Sequence, residues 1–158
     1  MGQPGQTVPP AGTPAGVPSL VFRAGSLLCA LRLDEVIETM RPLATHPLAG
    51  TPAYVSGICI MRGVPTLVVD VARLLGGGEA EVVRFVAVRT ERGPVAFATG
   101  AIGGVRPVAA DTAGRQEALL GDAPARLVAA IGTIDAEPVL LLQSMRLVPD
   151  EVWAAAAA

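Results

Sequence analysis

The sequence predicts an all-β, barrel-like fold, and three observations predict it. Short apolar runs rich in Val, Ile and Leu recur at about 8–12-residue spacing, separated by Gly- and Pro-containing turns. The chain is 51% hydrophobic with 16% charge, so it can bury a large core, and its few aromatics leave aliphatic side chains to fill it. An internal repeat at offsets of about 65–75 residues points to two related halves rather than a solenoid. In it Val69 to Leu75 is echoed by Leu142 to Val148, and Cys29-Ala30-Leu31 by Val95-Ala96-Phe97. At 158 residues the chain is one domain, or two small halves sharing a core.

In chain order, residues 1–18 are rich in Pro, Gly and Thr and read as a flexible leader. Leu20 to Phe22 reads as a strand, Ala24-Gly25-Ser26 as a turn and Leu27 to Leu33 as a second strand. Leu27, Cys29, Leu31 and Leu33 share one of its faces. Asp34 sits where a helix N-cap belongs, ahead of a turn over Glu35 to Glu38, and Thr39 to Leu43 returns as strand. A loop carrying His46 precedes the most structured stretch, Pro52 to Gly76.

In that stretch Gly57 to Met61 is a buried strand, Arg62-Gly63-Val64-Pro65 a turn and Thr66 to Val69 a second strand. Asp70 then caps a helical turn, Val71 to Leu75, that stops at Gly76. The glycines and acids of 76–81 read as the boundary between halves of about 19–76 and 82–149, with some chain exchanged between them. Val82 to Thr90 and Val95 to Thr99 flank a turn, and Ile102 to Val108 carries a Gly103-Gly104 bend suited to a bulge. Residues 111–126 read as irregular and polar with room for a short helix, Leu127 to Ile134 and Val139 to Leu142 as strands around an Asp135 to Pro138 turn, and 150–158 as an Ala-rich frayed helix.

Several function classes drop out. All twelve basic residues are Arg, which removes lysine nucleophiles, Schiff bases and the P-loop. A net charge of −2 argues against nucleic acid. Cys29 and Cys59 lie in apolar runs and read as reduced core thiols, and with a single His they make no metal motif. No signal peptide or bilayer-spanning run is present, so the expected location is cytoplasmic with no membrane insertion. The expectation is no catalysis, no cofactor and no metal.

Glu38 and Arg62 each interrupt an apolar context at the rim of the first half. They are either an ion pair that fixes a barrel corner or part of a docking surface. Ile58, Val64 and Leu67 are either core or a contact patch, depending on register.

The block Pro52, Tyr54-Val55, Gly57-Ile58, Arg62-Gly63, Leu67 to Asp70 and Arg73 to Gly76 resembles the CheW family of chemotaxis coupling proteins, and the resemblance runs from about Leu20 to Val148. It implies two five-stranded, SH3-like barrels packed on a shared hydrophobic core. It also implies a cytoplasmic adaptor between the tip of a methyl-accepting chemotaxis receptor and the regulatory domain of a CheA-type histidine kinase. Val36, Glu38, Gly57 and Arg62 match positions implicated in receptor coupling. Ile58, Val64 and Leu67 are the expected kinase contacts, while Asp34, Asp70, Gly63 and Gly76 are expected to be structural. The chain departs from the family pattern at Ile60, where a polar residue is usual, and at Ala96, Gly100 and Gln143. The alternative from another class is a stand-alone β-barrel regulatory domain sensing a small ligand.

Overall fold

The computed structural model describes residues 16–111, 128–144 and 152–154. Among them twelve strands run in chain order. They are β1 (Val17–Ala24), β2 (Leu27–Arg32), β3 (Val36–Met40), β4 (Thr45–His46), β5 (Val55–Met61), β6 (Val64–Asp70), β7 (Arg84–Val88), β8 (Val95–Thr99), β9 (Ile102–Val108), β10 (Ala110–Asp111), β11 (Val128–Ile134) and β12 (Glu137–Leu142). One 3-10 turn (Leu33–Glu35), one short helix, α1 (Val71–Leu74), and a helical stretch at 152–154 complete them.

The strands form two sheets of identical plan. One has the order β4-β5-β6-β8-β7-β3, the other β10-β11-β12-β2-β1-β9. In each, the central pair is parallel (β6 with β8, β12 with β2) and every other pair is antiparallel. Each sheet therefore has five longer strands and one two-residue strand at its edge. We call them the first barrel and the second barrel.

The plan repeats down to its irregularities. β3 slips by one residue at Ile37 against β7, and β9 slips at Gly103 against β1. β5 slips at Ser56 against β6, and β11 slips at Ala129 against β12. Bulges add twist and bend the strand, which is what curls a sheet this small toward closure. The Gly103-Gly104 bend expected from the sequence is one of these four.

The chain exchanges hairpins between the barrels. β1–β2 joins β9–β12, and β7–β8 joins β3–β6. The boundary expected at residues 76–81 is thus a connection inside the first barrel, because β8 lies beside β6 and draws its hairpin back. The real crossings are the 3-10 turn between β2 and β3 and the Gly100-Ala101 link between β8 and β9.

This exchange creates three apolar cores. Cys29 and Leu31 of β2, Leu67 and Val69 of β6, Val86 and Val88 of β7, and Val95 and Phe97 of β8 meet Phe22 in a joint core between the barrels. The alternate residues of the same strands point the other way. Val68, Phe85, Ala87, Ala96 and Ala98 fill the first barrel with Cys59, while Val21, Ala30, Val108, Ile134 and Val139 fill the second. β8 (VAFAT) is buried throughout because it serves a core on each face. Phe22 and Phe97 are fully buried, each contributing about 2–3 kcal/mol by area. Burial pushes the Cys29 thiol up to about 12 and raises that of Cys59, so both are inert core groups.

Several local expectations need correction. Asp34 does not cap a helix. It lies inside the 3-10 turn, whose N-cap is Arg32 without a side-chain cap bond, and it pairs on the surface with that Arg32 guanidinium at 2.8 Å. The turn ends at Glu35, so Ile37 and Glu38 belong to β3. Leu33 leaves the β2 face and is exposed, since the strand ends before it. His46 is in β4, paired with Ile58, rather than in a loop. The leader read over residues 1–18 overlaps β1 at Val17 and Pro18, and residues 1–15 lie outside the described part. So do residues 112–127 and most of the second member of the repeat, Met145 to Val148. In the tail, Val152 is buried in the joint core.

Candidate protein-interaction site

The first barrel presents a corner built on the β5–β6 hairpin. Arg62 and Gly63 form its whole turn, at φ +51 and +78, the two-residue pattern whose twist matches that of the strands. Gly63 answers that requirement without cost, whereas Arg62 holds a left-handed conformation that a side chain disfavours. Val64 and Pro65, read as turn residues, are already in β6.

The strained position aims the Arg62 guanidinium at β3. Its Nε and Nη2 donate to the two carboxylate oxygens of Glu38, the latter at 2.7 Å, a bidentate pairing. Glu38 lies directly after the Ile37 bulge, in register with Ala87 of β7. Its side chain is 27% exposed and that of Arg62 76%, so the pair stands open to an incoming partner. The Arg62 hydrogen bond holds the Glu38 carboxyl below its ordinary range, and Glu38 raises Arg62 in turn.

Apolar side chains flank the pair. On the outward face Ile60 is 55% exposed, with the exposed Pro65 opposite it across the hairpin, while Val64, opposite the inward Met61, is 56% exposed at the hairpin's end. Ile37, next to Glu38, is also exposed. Fixed charge with exposed aliphatic side chains on the same hairpin suits recognition of another protein.

The other expected site residues fall into place around this corner or away from it. Val36 is half-buried against the joint core. Gly57 is buried at φ +141, and a Cβ there would lie 2.0 Å from the His46 carbonyl oxygen, so its requirement is local close packing of β4 on β5. Of the expected kinase contacts, only Val64 is open. Ile58 packs partly into the joint core, and Leu67 is 3% exposed, a core residue rather than a contact. Leu67 faces inward because β6 sits in mid-sheet, between β5 and β8. Asp70 caps α1 as expected, accepting from the Arg73 backbone N–H at 3.2 Å, and Gly76 ends the turn at φ +83.

Two features escaped the sequence reading. Ile60 was noticed only as a departure from a pattern; the alternation Val55, Gly57, Cys59, Met61 inward places it outward. Glu35 had no signal at all. Its carboxylate accepts from the backbone N–H of the fully buried Ser144 at 2.8 Å, and the Ser144 hydroxyl, 3.1 Å from that carboxylate, donates to the Arg89 carbonyl at 2.6 Å. These bonds tie the crossing between barrels to the end of β12.

The second barrel carries an ion pair of its own at the matching turn. Its β11–β12 turn is Asp135-Ala136, at φ +49 and +65, and Asp135 accepts from Arg106 of β9 at 3.0 Å. A further pair, Arg23 with Glu137, lies nearby.

Residues 18–152 match the family model of the CheW-like domain. The chain belongs to the CheW-like family. The family comprises non-catalytic scaffold proteins of chemotaxis-type signalling. Protein FrzA of Myxococcus xanthus is 34% identical over 61 residues, a match that spans 39% of this chain and 38% of FrzA. The crystal structure of the scaffolding protein TtCheW from Thermoanaerobacter tengcongensis superposes with a TM-score of 0.70 at 18% identity, covering 84% of this chain and 92% of that one. The CheW-like plan of two barrel-like subdomains on a joint core is the plan described above.

Proposed function

We propose that the chain is a non-catalytic cytoplasmic adaptor coupling methyl-accepting receptors to a CheA-type histidine kinase, in chemotaxis or a related motility pathway. The observation that carries the reading is the Glu38–Arg62 corner, a bidentate pair on rigid backbone framed by exposed Ile60 and Val64. An exposed ion pair adds little to folding, so its fixed geometry serves recognition better than stability. The receptor tip would meet Glu38 and Arg62, with Val36 and Gly57 holding the strands beneath them. The kinase regulatory domain would close over the end of the hairpin, meeting Ile60 on its outer face and Val64 at its tip. Coupling needs no cofactor, because Ile60, Arg62 and Val64 stand on one hairpin, tied to Glu38 of β3 and anchored in the joint core through Leu67 and Val69. Recruitment to membrane-associated receptor arrays follows from the receptor contact; among the described residues no helix is long and apolar enough to cross a membrane.

Calorimetry against the regulatory domain of a CheA-type kinase from the same genome tests the reading. The expected affinity is micromolar, about −8 kcal/mol. Ile60→Asp and Val64→Asp should abolish it while the melting curve stays normal. Full binding by both variants would remove the kinase surface from this hairpin. No binding to any such kinase would refute the adaptor reading and favour a ligand-sensing barrel.

A further inference from the structure

Three parts of the chain that are far apart in sequence meet at Glu35. This residue ends the 3-10 turn that crosses from the second barrel to the first, and β3 begins at the next residue. Its carbonyl accepts from the backbone N–H of Arg89, just past the end of β7, at 2.9 Å, and the Arg89 Nε donates to the Asp34 carbonyl at 3.2 Å. Its carboxylate accepts from the Ser144 backbone N–H, beyond β12, at 2.8 Å. The Ser144 hydroxyl closes the ring by donating to the Arg89 carbonyl at 2.6 Å. Ser144 is fully buried, and a lost partner costs most where water cannot replace it. β7 belongs to the first barrel and β12 to the second, so Glu35 joins the two barrels by polar bonds as well as through the joint core.

Ile37 is the extra residue of the β3 bulge: Val36 pairs with Val88 and Glu38 with Ala87, and Ile37 is left out between them. A bulge holds one residue of slack, and what grips the strand on either side sets where that slack sits. On one side the grip is the Glu35 junction, on the other the pairing of Glu38 with Arg62. A strand that slips by one residue turns its side chains to the opposite face, so Glu38 keeps its aim at Arg62 only while the slack stays at Ile37. We propose that Glu35 is a positioning residue for the first-barrel corner: its hold on Ser144 keeps the bulge at Ile37 and so presents Glu38 to Arg62 and to an incoming partner. The consequence for binding rests on the receptor reading above. Two grips on one strand are coupled by the same free energy from either end. A partner that alters the Glu38–Arg62 pair is therefore felt at Ser144, on the end of β12 in the second barrel.

An NMR titration of Glu38 in the full chain tests the inference with no receptor present. In Glu35→Ala, which removes the carboxylate from Ser144, the Glu38 carboxyl should titrate higher than in the wild type as its bond from Arg62 is lost. Asp135, paired with Arg106 in the second barrel, should not move. The direction decides the cause, because deleting a neighbouring negative charge would by itself lower Glu38. Glu35→Asp, charged but one methylene short of Ser144, should raise Glu38 as well. Glu35→Gln, which still accepts from the Ser144 N–H, should leave it near the wild-type value. From the other end, Arg62→Ala should speed hydrogen exchange at the Ser144 amide by at least about fivefold. Receptor-tip affinity should fall at least about fivefold in Glu35→Ala and Glu35→Asp and persist in Glu35→Gln. An unmoved or lowered Glu38 in folded Glu35→Ala or Glu35→Asp overturns the proposal, whatever their melting temperatures. So does unchanged Ser144 exchange in Arg62→Ala. A wild type that binds no receptor tip removes the receptor reading and leaves the titration to decide this one, so the two fail separately.

Discussion

The first and second barrels share strand order, four bulges and two left-handed hairpin turns, yet they differ in what those features carry. The first barrel keeps glycine at both demanding positions of its β5–β6 hairpin, Gly57 and Gly63; the second has Ala130 and Ala136 there. The first places α1 after β6, capped by Asp70, where the second has Gln143 after β12. Duplication preserved the backbone plan, since that plan is what generates the joint core. The corners, which no core depends on, were free to diverge: Glu38 has Gly104 at the matching place, and Arg106 stands where β3 has Met40.

If the joint core is the part both barrels need, its loss should be the most damaging change. Phe97→Ala is expected to cost about 4 kcal/mol in denaturant unfolding, against about 2 kcal/mol for Val139→Ala in the second barrel's own interior. Equal costs would mean that the barrels stand independently. Gly57→Ala comes next, at about 3 kcal/mol, because its Cβ would strike the His46 carbonyl and its φ disfavours a side chain. The matching Ala130→Gly should cost only about 1 kcal/mol. Asp70→Ala should cost about 1 kcal/mol through loss of the α1 cap.

The smallest effects are those of pH on the two corners. The Glu38 and Asp135 carboxyls are both held below their ordinary values, chiefly by the hydrogen bond from the facing Arg. A carboxyl with a lowered folded pKa adds stability above its unfolded value, and that increment is lost as pH falls through the folded value. In an NMR titration Arg62→Ala should move Glu38 upward and leave Asp135 unchanged, and Arg106→Ala should do the reverse. Coupled movement would contradict two independent corners.

Much of this molecule could be read in its residues. The β-branched runs, the Arg62-Gly63 turn, the Asp70 cap, the Gly76 stop and the Gly103-Gly104 bulge are all local, set by neighbours in sequence. The hairpin exchange is not local: the pairing of β8 with β6 depends on which apolar faces can be buried together, and the run of glycines and acids at 76–81 imitates a boundary. Leu67 was ambiguous for the same reason, since a residue's face follows from the strand's place in the sheet. Glu35 gave no sign because its partner, Ser144, lies far along the chain and carries nothing in its own sequence context to mark it as buried. The Glu38–Arg62 pairing was visible as two charges in apolar surroundings, whereas nothing in the sequence joined Arg106 to Asp135, 29 residues further on.

The most direct test of the corner's role is binding of a receptor cytoplasmic-tip fragment, at concentrations where each protein is monomeric, to the wild type, Arg62→Ala and Arg106→Ala. The account predicts at least about a tenfold loss for Arg62→Ala, equivalent to about 1.4 kcal/mol, and wild-type affinity for Arg106→Ala. Undiminished binding by a normally melting Arg62→Ala, or equal loss in both variants, would contradict it.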